Sequence, residues 1–279
     1  MATLQRLWKA SPALTATGIV MLAAFAGLAV TMAVDHATIL GAPRWLKPAK
    51  FAISTAIYVV TLAWISTYLP DRRRLTARVG WITAVVVVFE VGVIAVQAGR
   101  GMTSHFNVGT PADAILFSTM GLAILVAWGA AIALTVAVFR QRFADEALGW
   151  ALRLGLLLTV IGQATGGLMT NPTKAQLEAA RTSRITVAGA HTVGGPDGGL
   201  GLPVTGWSRE HGDLRVPHFL GMHAVQVLPA IAWLLLPIAT MANRRRVVIA
   251  AGAGYAALFA VLLIQALNGQ PLIPMMVSR

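Results

Sequence analysis

Two imidazoles and an amide enter a hydrophobic segment within the stretch 212–237. His218, His223 and Gln226 follow Pro217, which suits the first turn of a helix because its missing N–H is not needed there. Past Gln226 the run is almost wholly apolar. Polar side chains inside a membrane helix are expensive and usually face the protein interior or a water-filled cavity. We therefore predict that this stretch forms the floor of a polar site.

Histidine offers the widest chemistry in this stretch, because imidazole ligates haem iron, zinc and copper. His218 and His223 are five positions apart, about 140° around a helix, so they cannot chelate one ion as an i, i+4 pair does. A partner must come from another segment, and His105 and His36 are the candidates. The sequence therefore allows haem b, zinc or copper bound by His36, His105, His218 and His223, with Gln226 beside the cofactor. A plain hydrogen-bonding role for these histidines at the membrane edge is the alternative.

Two His-Phe pairs indicate which imidazoles meet. His105-Phe106 and His218-Phe219 each stand where a loop joins a hydrophobic run. We expect the side chains of His105 and His223 to approach each other, with a third imidazole nearby. Metal or haem binding at the cofactor site depends on this meeting.

Glu90 is the one acidic residue deep inside a predicted span. Gln97, seven positions later, lies on nearly the same helical face, about two turns along. Burial disfavours an ionised carboxylate, so we expect Glu90 to be uncharged unless a cation lies near. Glu90 and Gln97 are therefore predicted to act as the catalytic pair, forming a proton or ligand path. A hydrogen bond from Glu90 to Gln163 or Gln265 would instead give it a purely structural role.

The composition places these residues in a membrane. Of the 279 residues, 57% are hydrophobic and 11% are charged, whereas a soluble domain usually carries about 25% charged residues. Lipid-exposed backbone must satisfy its hydrogen bonds within each segment, which predicts helices. The absence of cysteine excludes disulfides and thiolate metal sites. The net charge of +12 resides largely in short arginine clusters between hydrophobic runs, which argues against nucleic-acid binding and is typical of membrane proteins.

Several hydrophobic runs approach the length needed to cross a bilayer. They predict an all-α, polytopic integral membrane protein with seven transmembrane helices, forming a single domain over residues 1–279. Its expected location is a bacterial-type plasma (inner) membrane. The predicted spans are residues 12–34, 51–69, 79–98, 114–139, 148–169, 217–241 and 247–267.

Arginine clusters after the second, fourth and sixth predicted helices set the orientation. The positive-inside rule places these clusters in the cytoplasm, which puts the N-terminus inside and the C-terminus outside. All six histidines then fall on or near the outer side. Three cations disagree with this orientation because they fall on the outer side as well: Arg44, Lys47 and Lys50.

A long glycine-rich loop separates the fifth and sixth predicted helices. Residues 170–216 carry Gly-Pro and Asp-Gly dipeptides, which mark turns. A loop of this length is usually functional or disordered. Its turn chemistry and Trp207 favour an ordered lid on the extracytoplasmic side.

Three functions fit these features. The first is a membrane-embedded redox or metal- or haem-binding protein whose His-rich polar site opens to the extracytoplasmic face, with a quinone or another small molecule as its ligand. The second is a small-solute or proton-coupled transporter in which Glu90 is the coupling acid. The third is a sensory or assembly protein that binds a partner through the outer loop. The lipid bilayer is the partner common to all three.

Overall fold

The computed structural model describes residues 2–274, and regular structure in that range is predominantly helical. Six helices of the described part are long and apolar enough to cross a membrane. The prediction of a mostly helical, multi-pass membrane protein is therefore confirmed. Residues 275–279, which end the chain on the side predicted to be external, lie outside the described residues.

The chain forms two compact units, Met1–Gln141 and Arg142–Arg279. The expected single domain over residues 1–279 stays a prediction. The first unit contains α1 (Ala2–Ala10), α2 (Pro12–Val34), β1 (Thr38–Ile39), β2 (Ala42–Pro43), α3 (Leu46–Ser66), a 3-10 turn (Pro70–Arg72), α4 (Arg73–Gly99) and α5 (Pro111–Phe139). The second contains α6 (Glu146–Met169), α7 (Lys174–Ala179), β3 (Thr192–Val193), β4 (Gly212–Asp213), α8 (Arg215–Leu234) and α9 (Met241–Leu267).

Hydrophobic runs locate these helices better than they locate the helix ends. The predicted span 12–34 coincides with α2, whereas α3 and α4 begin earlier than predicted, at Leu46 and Arg73. Helix α8 ends at Leu234 instead of residue 241. Charged residues can continue a helix into water, so hydrophobicity alone does not fix its ends. The six helices noted above do not include α8, whose first half carries Arg215, His218 and His223, and the seven-span count stays a prediction.

Small residues allow the helices of the first unit to pack closely. Gly18 of α2 faces α3, where an added Cβ would lie 2.7 Å from Val60 Cγ2. Met120 of α5 packs against α4. A buried cluster joins α2, α3 and α4 through Met21, Ala52, Ala56 and Val91.

Two glycines bring α6 and α8 into backbone contact in the second unit. A Cβ added to Gly162 would lie 2.6 Å from the Cα of Gly221, so no larger residue fits without moving a helix. Arg244 of α9 is buried and donates to Asp145 Oδ2 at 2.8 Å and to the Ala232 carbonyl at 3.0 Å. One guanidinium thus joins the start of α6 to the end of α8.

The segment between α6 and α8 is built from short hydrogen-bonded pieces. Helix α7 begins with a capping box formed by Thr173 and Gln176, and Gln176 also donates to the Gly189 carbonyl at 2.9 Å. Strands β3 and β4 are antiparallel, with Thr192 opposite Asp213. These contacts hold the segment together. The role of residues 170–216 as an extracytoplasmic lid stays a prediction.

Candidate functional site

A carboxyl and an imidazole meet inside the first unit. Glu90 lies on α4 with its side chain 7% exposed, and the loop after α4 carries His105 back towards it. His105 Nε2 lies 3.6 Å from Glu90 Oε1. The other carboxyl oxygen, Glu90 Oε2, is buried and has no hydrogen-bond partner in the described part of the chain. A buried acid is thus placed beside a titratable base.

The other ring nitrogen of His105 faces polar groups. Nδ1 lies 3.2 Å from Lys47 Nζ and 3.0 Å from Ser104 Oγ. A lysine ammonium can only donate hydrogen bonds, so Nδ1 accepts from Lys47 while that lysine is charged. The neutral imidazole then carries its proton on Nε2, which is the nitrogen that faces Glu90. Lys47, His105 and Glu90 therefore form a continuous polar chain.

Phenylalanines surround this imidazole. The His105 ring centroid lies 5.7 Å from that of Phe51, 6.2 Å from that of Phe106 and 6.5 Å from that of Phe117. Phe106 has a φ of 63°, in the left-handed region that residues other than glycine seldom occupy. Such backbone outliers often occur at functional sites. The loop after α4 holds His105 among apolar rings, where the low local dielectric constant strengthens electrostatic interactions.

Gln97 bonds to a second polar cluster two turns further along α4. Its Nε2 donates to Asp113 Oδ1 at 2.8 Å, and its Oε1 accepts from Arg100 at 2.5 Å. Arg100 also bonds to Asp113 Oδ1 at 3.0 Å, and Thr110 Oγ1 donates to Asp113 Oδ2 at 2.7 Å. This cluster ties the end of α4 to the start of α5 across the loop that bears His105. A role for Gln97 in a proton path stays a prediction.

Arg44 and Lys47, which disagree with the predicted orientation, have partners within the first unit. Lys47 contacts His105, and Arg44 forms a salt bridge with Asp35. Hydrogen bonds from the Trp45 indole, from a backbone N–H and from Arg44 lower the pKa of Asp35 to about 2. Cations held by internal partners are weak evidence about orientation, because the positive-inside rule concerns solvated loop charges.

His36, a predicted metal ligand, is exposed and does not contact the other predicted ligands of the first unit. It lies in the loop after α2 and makes no hydrogen bond or ion pair with the described residues. His105 lies in the first unit and His223 in the second, so their expected meeting stays a prediction. The same holds for a hydrogen bond between Glu90 and Gln163 or Gln265.

His218 is held by α6 in the second unit. Its Nδ1 lies 2.8 Å from the Gly162 carbonyl and 3.2 Å from Thr165 Oγ1. A carbonyl only accepts, so Nδ1 carries the proton and Nε2 keeps its lone pair in the neutral ring. This is the arrangement usual for a metal-ligating histidine. Gly166 lies beside the ring, since a Cβ there would be 3.4 Å from His218 Cε1.

His223 lies against an aromatic side chain. Its ring centroid is 4.3 Å from that of Phe219, and its side chain hydrogen-bonds to Gln226. Within the described residues, no group of three His, Asp or Glu side chains is placed to hold a metal ion. Binding of haem, zinc or copper stays a prediction.

The segment before α8 contains a second His–carboxylate pair. His191 Nδ1 lies 2.8 Å from Asp197 Oδ2, and the backbone N–H groups of His191 and Thr192 also donate to that carboxylate. Burial acts to raise the pKa of Asp197, but these hydrogen bonds and the His191 ring outweigh it and lower the pKa. Asp213, fully buried, likewise accepts from Ser208 and Arg215. Two carboxylates therefore organise the segment.

Sequence reasoning missed Lys47 and Asp113 as members of the site. Asp113 had a local signal, because Thr110 precedes a proline and Asp113 stands at the third helical position, where Thr110 caps the helix. For Lys47, the only signal in the sequence was its disagreement with the positive-inside rule.

Comparisons with known proteins give no relative. No protein-family model, no curated protein and no solved structure matches the chain. Function therefore has to be argued from the geometry of the site.

Proposed function

We propose that this membrane protein moves protons through Lys47, His105 and Glu90. The observation that carries the proposal is the 3.6 Å separation of His105 Nε2 and Glu90 Oε1, with the second carboxyl oxygen of Glu90 buried and unpartnered within the described residues. The carboxyl of Glu90 therefore adds little to the stability of the fold through hydrogen bonds. Ionisable residues inside membrane segments commonly mark proton or ion pathways.

The relay balances with one proton entering and one leaving. A proton delivered from the Lys47 side binds Nδ1 of His105, while the proton on Nε2 passes to Oε1 of Glu90. Glu90, ionised before the transfer, becomes the neutral acid, and the imidazole is left neutral with its proton on Nδ1. The cycle closes when Glu90 releases its proton on the far side and the imidazole proton returns from Nδ1 to Nε2. Proton transfer needs heavy atoms about 2.6–3.2 Å apart, so the pair must close slightly during turnover. The loop after α4, which carries His105, is the element whose movement would close it.

Proton-coupled transport of a small solute is the activity that suits this relay best. In this proposal seven spans cross a bacterial-type inner membrane, with the N-terminus in the cytoplasm and the C-terminus outside. Glu90 is the coupling acid, and Lys47 lies in the first turn of α3, towards the outer mouth of the site. The segment between α6 and α8 would lie on the extracytoplasmic side of the membrane.

A redox or haem-binding function is the second candidate, and one observation favours it. His218 Nδ1 is fixed by the Gly162 carbonyl, so its Nε2 can ligate haem iron, zinc or copper. A quinone or another small molecule would then be the redox partner. A visible absorption spectrum and metal analysis of the purified protein test this candidate, and a haem band that persists in His218→Ala would contradict the assignment.

The proposal includes that the relay also passes protons down a pH gradient without the solute, as an uncoupled leak, so it can be tested before the solute is known. Liposomes containing the protein receive a pH gradient, and a trapped dye reports the internal pH. Wild-type protein should dissipate the gradient faster than protein-free liposomes. Glu90→Gln and His105→Gln should lower the protein-dependent part of the rate by at least about 100-fold, the usual effect of removing a proton-transfer group. Glu178→Gln changes an exposed acid and serves as the control. A wild-type rate in Glu90→Gln would rule out the relay.

A further inference from the structure

One end of the first unit carries arginines that lack acidic partners. Arg72 ends the 3-10 turn, and Arg73, Arg74 and Arg78 lie in the first turns of α4. None of these four guanidinium groups forms a salt bridge within the described part of the chain. Asp71 is the one acid in the turn, and it is exposed. The excess positive charge at this end is therefore available to an outside partner.

The turn also provides a concave place for that partner. Residues 70–75 line an open depression of about 490 Å³. Its rim includes Arg72, Arg73 and Arg74. The planar guanidinium group donates in a fork that matches the oxygens of a phosphate group.

Helix α1 adds the features of a membrane-surface helix. Leu4 and Trp8 lie one turn apart and are 53% and 48% exposed, while Arg6 and Lys9 are exposed on a different side. Short amphipathic helices with this pattern lie in the interface between lipid headgroups and acyl chains. Tryptophan is enriched at that depth.

Packing places α1 beside the arginines. Helix α1 contacts both α2 and α3. Ser11, which joins α1 to α2, lies against α4 about two turns past Arg73, because a Cβ added to Gly80 would be 2.7 Å from Ser11 Oγ. The interfacial helix and the arginine-bearing turn thus occupy the same end of one compact unit.

We propose that this end, formed by α1 and the four arginines, binds the phosphate of an anionic phospholipid in the adjacent leaflet. The arginines hold the phosphate oxygens, and Leu4 and Trp8 contact the acyl chains beside it. Juxtamembrane clusters of this size recognise anionic headgroups. The apolar face of α1 makes a lipid the occupant in preference to a free phosphate ion. This inference is independent of the proton relay.

Titration of phosphatidylglycerol into the full chain in micelles of a short-chain phosphatidylcholine tests the proposal, with the thermal midpoint as readout. The midpoint of the wild type should rise as the anionic lipid is added. Removing one arginine should weaken the apparent affinity about fivefold, and Arg72→Gln/Arg73→Gln/Arg74→Gln about 100-fold. The charge-matched control, Lys174→Gln/Arg181→Gln/Arg184→Gln, removes exposed cations of the second unit and should retain wild-type affinity.

Three outcomes would overturn the lipid site. Equal affinity of the two triple variants would show that the arginines do not act locally. A midpoint rise of the same size with inorganic phosphate would show an anion site without lipid. If the arginine triple variant does not unfold cooperatively in phosphatidylcholine alone, Arg73→Gln and Arg74→Gln replace it, and wild-type affinity in both would also refute the site.

Discussion

His105 and Glu90 face each other with 3.6 Å between Nε2 and Oε1, inside one compact unit. This separation exceeds the hydrogen-bond range of about 2.7–3.2 Å, so neither group depends strongly on the other for stability. It is short enough that a small movement of the His105 loop would allow proton transfer. The pair therefore resembles a poised reactive site more than a packing contact.

Replacement of Glu90 by leucine should separate stability from function. The Oε2 atom of Glu90 is buried without a hydrogen-bond partner in the described residues, and such an atom destabilises the folded state. We expect Glu90→Leu to leave the thermal midpoint unchanged or raise it, a change of about 1 kcal/mol at most, while abolishing proton movement. Thermal unfolding in one detergent, with Glu90→Gln as the isosteric comparison, checks this. A clear drop in the midpoint of Glu90→Leu would indicate a structural role.

The sequence predicted a buried acid at Glu90 but not its partner. Helix α4 continues from Glu90 to Gly99, a rise of roughly 13 Å at about 1.5 Å per residue, before the loop turns back. Gly101 and Phe106 both have positive φ angles in that loop. Spacing along the chain does not show how far a loop returns along its own helix, so the sequence predicts a contact between histidines and not the contact of His105 with Glu90.

The positive-inside rule does not predict the contact that Lys47 makes. Lys47 appeared as a loop cation on the wrong side, because sequence does not distinguish a solvated lysine from one directed at a buried imidazole. The helices themselves can be predicted from the sequence, since each long apolar run must satisfy its own backbone hydrogen bonds. The predicted span 12–34 matches α2 for this reason.

Removal of the Asp113 carboxylate should loosen the loop that bears His105. Asp113 is 1% exposed and accepts hydrogen bonds from Gln97, Arg100 and Thr110, and all three donors lose a partner in Asp113→Ala. We expect a loss of about 2 kcal/mol in the free energy of unfolding, seen as a lower thermal midpoint. Asp71→Ala removes an exposed acid of the same unit and should have little effect. Equal midpoints for the two variants would argue against the buried cluster.

The contact of α6 with α8 should depend on one glycine. A Cβ on Gly162 would lie 2.6 Å from the Gly221 backbone, which cannot move without separating the helices. We expect Gly162→Ala to lower stability by about 2 kcal/mol or more. Gly167→Ala, on the same helix with nothing within 4 Å of the added Cβ, is the matched control and should be neutral or stabilising. Similar midpoints for both alanine variants would contradict the close approach.

Order in the segment before α8 should be lost in acid because of Asp197. Hydrogen bonds from the His191 ring and from the His191 and Thr192 N–H groups outweigh burial and lower its pKa from an ordinary value of 3.8. A lowered pKa means that the unfolded segment binds the proton more tightly, so the stabilisation is complete above the ordinary pKa and falls as the pH drops through the folded value. Hydrogen exchange should therefore show protection of the His191 and Thr192 amides at about pH 6 that declines towards about pH 2. Protection of the Leu177 amide in α7, which donates to the Thr173 carbonyl, should decline less. Asp197→Asn should remove the protection of the first two amides already at pH 6, and protection retained in that variant would show that another group holds the turn.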